Sequence, residues 1–156
     1  MRNYSHCAFI SLLGITLIAT APTGSAQSLS VRRLLTSDSF TFGPVGYGTG
    51  KTSGGEILYN RILKSPTALD DFRYVWKNGN AQARAYALTA FWKLDRTEFE
   101  RDAAEFIRQN PTVNSQHVDL IGRMPASWVV EGIRNGVPSY RRRGTIPPQR
   151  DSNVRR

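Results

Sequence analysis

Asn80-Ala81-Gln82-Ala83-Arg84-Ala85-Tyr86-Ala87-Leu88-Thr89-Ala90-Phe91-Trp92-Lys93-Leu94, running straight into Asp95-Arg96-Thr97-Glu98, decides the fold class. Asn80 supplies a helix cap, and Ala83, Tyr86, Ala87, Ala90, Phe91 and Leu94 recur at three and four residues, the spacing of one helical face. Alanine on that face lets a neighbouring helix come close. Asp95 with Glu98 three residues on is the reciprocal cap of a second helix, whose inner face is Phe99, Ala103, Phe106 and Ile107 and whose end is Asn110-Pro111. With so tight a connection the two helices are predicted to pack antiparallel.

Working outward, Ser65-Pro66 opens an earlier helix with proline at its first position. Its face holds Leu69, Phe72, Val75 and Trp76, and Asn78-Gly79 stops it. A shorter helix precedes it over residues 55–64, with Ile57, Leu58, Ile62 and Leu63. Residues 112–121 contain Val113, Val118, Leu120 and Ile121 and read as extended. A last helix from Pro125 to Arg134 carries Trp128, Val129 and Ile133 and ends at Asn135-Gly136. Ahead of the helices, Ser39-Phe40-Thr41-Phe42 alternates as a short strand or extended arm, and glycines crowd residues 43–55.

The run Asn78-Gly79-Asn80-Ala81-Gln82-Ala83-Arg84-Ala85-Tyr86-Ala87-Leu88, with the Leu94-Asp95 turn and the amphipathic helix after it, resembles one unit of a HEAT-like helical repeat. The resemblance covers residues 65–110 and implies a binding scaffold rather than a catalyst. No second copy follows at a fixed period, so a compact bundle is expected rather than a solenoid. The fold class is therefore mainly α: about five short helices with a HEAT-like hairpin, a short extended N-terminal segment and a disordered C-terminal tail.

The flanks set the expected organisation. Arg2, the apolar run from Cys7 to Ala21 and the small residues up to Ala26 follow the pattern of a secretory signal, giving a leader over 1–26. About 15 apolar residues are fewer than the roughly 20 a membrane span needs. Export, to a bacterial periplasm or beyond the cell, would remove His6 and Cys7 with the leader. Residues 27–54 are then an arm and glycine-rich loop, 55–136 the helical domain and 137–156 a basic tail. That tail holds six Arg against one Asp, which accounts for much of the formal charge of +9, and mean hydropathy is only −0.39. Arg141, Arg142 and Arg143 could meet phosphates of an anionic envelope surface. Nucleic acid is a poor match, because aromatic residues are not interleaved among the arginines, Tyr140 apart.

One Cys and two His among 156 residues argue against a metal centre or a disulfide framework, and no cofactor is called for. The stretch Val45-Gly46-Tyr47-Gly48-Thr49-Gly50-Lys51-Thr52 ends like a phosphate-binding loop, but valine stands where the first glycine belongs. It reads as a surface loop at a helix entry, with Tyr47 and Lys51 as binding candidates. His117 beside Asp119 would share a face on a strand and is the candidate general base of an alternative, a small envelope hydrolase that could also draw on Glu56. Glu98, Asp102 and Glu105 at four- and three-residue steps read as a solvated, salt-bridged helix face. Most aromatic residues fall on inner faces; Tyr74 and Trp92 do not, and are candidates for a partner-binding patch. The function expected is a non-enzymatic helical domain that binds a macromolecular, most naturally protein, partner.

Overall fold

A computed structural model describes residues 28–45, 50–117 and 120–136. The leader over 1–26, Tyr47, Asp119, the basic tail with Arg141, Arg142 and Arg143, and the disorder expected of that tail lie outside the described residues. Helix accounts for 65% of what is described and the strands form only two small hairpins, so the chain is mainly α, as expected.

Six helices are described, one more than the sequence pattern predicts. The extra one is α1 (Leu29–Leu34), in the segment read as extended. Ser28 Oγ accepts from the Val31 amide at 3.3 Å, and Val31 and Leu34 turn inward together at a spacing of three. Six residues cannot hold a helix unaided, so this one depends on what it packs against, namely α2 (Gly54–Leu63) and α3 (Ala68–Asn78). Between α1 and α2 a small antiparallel pair forms, β1 (Pro44–Val45) with β2 (Lys51–Thr52). Serine and proline at 65 and 66 do not open α3: they form a turn closed by the Ala68 amide on the Ser65 carbonyl, and the helix starts two residues later.

At the centre lies α4 (Ala81–Leu94), capped by Asn80, whose Oδ1 accepts from the Ala83 amide at 2.9 Å. Nine of its residues are buried: Gln82, Ala83 and the unbroken run Ala85–Phe91. A helix covered on so many sides is no longer amphipathic, and its small side chains are what let α3, α5 (Arg96–Gln109), α6 (Ala126–Arg134) and a strand all reach it. That strand is β3 (Thr112–His117), paired antiparallel with β4 (Leu120–Pro125) from Thr112↔Pro125 to His117↔Leu120. The alternating arm docks beside it, as the pattern predicts: the Phe40 amide donates to the Asn114 carbonyl at 2.7 Å, and Phe40 makes a single parallel bridge to Ser115.

Asp95 alone joins α4 to α5. Its carboxylate accepts from the Glu98 amide at 3.0 Å, while its own amide bonds the Phe91 carbonyl, so one residue ends one helix and starts the next. Asn110 stops α5 in the left-handed conformation, φ 45°, where its short polar side chain is tolerated better than most.

Five phenylalanines (Phe40, Phe72, Phe91, Phe99 and Phe106) are fully buried, each gaining about 1.5–3 kcal/mol over exposure before entropy is counted. Three residues assigned to inner faces are instead exposed by about two-fifths: Leu94, Ile107 and Trp128. At 3.6 residues per turn Trp128 falls opposite Ala126, Val129, Val130 and Ile133, the face α6 buries, and Ile107 lies just past the edge of the Phe99–Ala103–Phe106 arc.

The acidic side of α5 also differs from expectation. Glu98 and Asp102 are buried, their side chains only 8% and 3% exposed. Two arginines cover them, Arg73 from α3 and Arg101 from α5 itself. Arg73 Nε reaches both Glu98 oxygens at 3.0 and 3.1 Å, and Arg101 Nε reaches Asp102 Oδ1 at 2.7 Å. Donating hydrogen bonds to these carboxylates raises the pKa of both arginines, so both stay charged. Glu105 alone fits the solvated reading, accepting from Gln109 Nε2.

Candidate binding site

Where α4 hands over to α5, the chain places Trp92, Lys93 and Arg96 within five residues. Trp92 rests edge-on against buried Phe99, ring centroids 4.8 Å apart, which fixes the indole half in and half out of the core. The Arg96 guanidinium lies over the same indole, 3.1 Å from its centroid. From the far end of α6 come Ile133 and Gly136, and from the arm comes Phe42. Together with Thr89 they line a cleft of about 420 Å³.

The floor is held by an aromatic cluster. Phe42 packs edge-on to Phe40 and Tyr59, centroids 5.6 and 5.0 Å away, and lies 5.3 Å from Tyr86. Tyr86 fixes the arm: its hydroxyl donates to the Thr41 carbonyl and accepts from the Thr41 amide, both at 2.9 Å. Two further bonds tie the arm to the start of α2, from Ser53 Oγ to the Thr41 carbonyl at 2.8 Å and from the Gly43 amide to Glu56 Oε2 at 2.8 Å. Glycine is required at 55, because a Cβ there would sit 2.3 Å from the Tyr86 hydroxyl. Phe42 is thus positioned by hydrogen bonds on the residues either side of it.

Charge in the cleft is one-sided. Lys93 and Arg96 line it with no carboxylate among the lining residues, and neither cation makes an ion pair among the described residues. Lys93, in the last turn of α4, is favoured by the negative end of that helix, and its ammonium also lies 5.4 Å from the Tyr59 ring. Arg96 has no such help from its helix: it is the first residue of α5, the end where a cation is disfavoured, and the Trp92 ring is what holds it there. By contrast Arg134 on the neighbouring helix is paired with Glu100. Chemically the cleft offers two unpaired positive charges above apolar and aromatic walls, which suits a ligand both anionic and apolar.

Of the residues proposed from sequence, Trp92 is at this cleft. Tyr74 is on α3, 38% exposed, and Lys51 is exposed on β2; neither lines it. At the start of α2 the Glu56 amide is taken by Ser53 Oγ at 3.1 Å, so the chain's own side chain occupies a position that an anion beside Lys51 would use. His117 is the last residue of β3, and Glu56 is engaged with Gly43. Among the described residues no cluster of metal-ligating side chains occurs and no helix is long and apolar enough to cross a membrane. Phe42, Lys93, Arg96 and Ile133 were missed in the sequence. The signal that could have found two of them is the pair of cations flanking the Leu94-Asp95 turn with Trp92 beside them.

Comparison with known proteins returns no matching family model, no matching curated protein and no matching solved structure. The HEAT-like resemblance therefore stays a local likeness of residues 65–110, and function has to be argued from the cleft.

Proposed function

We propose that this protein is an exported, non-catalytic helical module that binds a protein partner in the cell envelope or outside the cell. The contact surface is the cleft of Phe42, Trp92, Lys93, Arg96 and Ile133. The supporting observation is the unpaired Arg96 held on Trp92 at the wrong end of a helix for a cation: the ring positions the guanidinium but leaves its charge uncompensated at the cleft, which an acidic partner would compensate. Aromatic and arginine side chains together are also the residue types that dominate binding energy at protein interfaces. The arginines of residues 141–156 follow Gly136, at the rim of the cleft, and would add long-range attraction for an anionic partner or envelope surface.

The test is photocrosslinking from position 97, exposed next to Arg96 and outside the cleft lining, in intact envelopes, with and without Arg96→Ala. One protein crosslinked by the parent chain and lost with Arg96→Ala is the expected result; equal crosslinking by both removes the cleft from the reading. Sequencing the mature N-terminus should begin at Gln27, and an unprocessed chain in the cytosol overturns export. A substrate turned over by the parent and not by a folded His117→Ala chain overturns the non-catalytic reading.

A further inference from the structure

Resting on that reading, we infer that the cleft takes a short acidic peptide segment in which an apolar side chain, best an aromatic one, stands next to aspartate or glutamate. Three features of the cleft carry this. Its volume, about 420 Å³, lies toward the small end of the roughly 300–1,000 Å³ of ligand pockets and suits one or two side chains rather than a folded surface. Phe42, Trp92 and Ile133 give it apolar walls, and the Trp92 ring is already braced by its contacts with Phe99 and Arg96. An aromatic ring entering there meets rigid partners and loses little to their ordering.

The third feature is the source of positive charge, which is two side chains rather than backbone amides. Helix N-termini with free amides are the backbone's own anion sites. Here the C-terminal ends of α4 and α6 border the cleft, with carbonyl-rich, partially negative last turns. The nearby start of α5 has its Glu98 amide already taken by Asp95. What remains is the Lys93 ammonium and the Arg96 guanidinium, and the guanidinium fork matches the two oxygens of a carboxylate. Two cations three residues apart across a turn can serve carboxylates on either side of the apolar residue.

The probe is a dye-labelled peptide with one Phe flanked on each side by two Glu, titrated with the full chain as the cell processes it and followed by fluorescence anisotropy. Saturable binding is expected, weakening at least ten-fold with Arg96→Ala or Lys93→Ala and less than two-fold with Arg61→Gln, an exposed arginine on α2. Lys93→Glu, which brings the two lining charges to zero, should abolish the preference for this peptide over the same peptide with Lys in place of Glu. Circular dichroism melts of each variant separate loss of binding from loss of fold. Equal affinity for a peptide with Ser in place of Phe, or affinity unchanged by both alanine variants, overturns the inference. So does binding to phosphatidylglycerol vesicles that depends on Lys93 and Arg96 when the peptide does not bind. Crosslinking that still requires Arg96 while every peptide fails leaves the partner-binding function standing and removes only this ligand class.

Discussion

Tyr59 and Tyr86 sit in one aromatic cluster, both fully buried, yet their hydroxyls have opposite fates. Tyr86 makes two hydrogen bonds to Thr41, whereas the Tyr59 hydroxyl has no partner. An unmade buried hydrogen bond costs about 1–3 kcal/mol. Tyr59→Phe should therefore leave stability unchanged or raise it by about 1 kcal/mol, and Tyr86→Phe should lower it by about 1–3 kcal/mol by orphaning the Thr41 amide. Urea denaturation of the two variants checks both signs. Burial raises the pKa of both phenols above their ordinary 10. The unfolded chain then ionises first, so the full stability is present below pH 10 and falls as pH climbs beyond it. Melting temperature against pH should show this alkaline loss, shallower in Tyr59→Phe. Neither hydroxyl's fate is legible in the sequence, because the arm that satisfies Tyr86 is 45 residues away along the chain.

The best-read elements are the ones whose signals are local. Both caps, Asn80 and Asp95, lie where the sequence pattern puts them, as do the Asn110 stop and the end of α6 before Asn135. A cap is a side chain reaching an amide three residues on, so adjacent residues decide it. Asp95→Ala should lower stability by about 1 kcal/mol, with Asp95→Asn retaining most of it; thermal unfolding of the pair measures the difference. Elements that depend on neighbours were misread. Six-residue α1 exists because α2 and α3 cover it, and Glu98 lies buried under Arg73 from α3. The cleft is not legible in the sequence for the same reason. Trp92 announces itself as off the main stripe, but Phe42 and Ile133 reach it from elements fifty residues before and forty after.

In the molecule as a whole, α4 is the element that α3, α5, α6 and β3 all pack against, which is why four of its buried residues are alanines, Ala83, Ala85, Ala87 and Ala90, among Tyr86, Leu88 and Phe91. Small side chains there are a geometric requirement. Ala87→Leu should cost about 1–3 kcal/mol by overpacking, seen as a lowered urea midpoint, although leucine is as good a helix former as most residues. The sequence by itself determined that the chain is mainly helical, where four helices begin and end, and that a tight turn joins the central pair, since caps, prolines and periodicity act over three or four residues. Tertiary structure alone decided which faces are covered, which carboxylates are buried and which cations remain unpaired. Those outcomes depend on distances between segments far apart in the chain, and burial changes the energy of a charge or a hydroxyl only once the neighbouring elements have arrived.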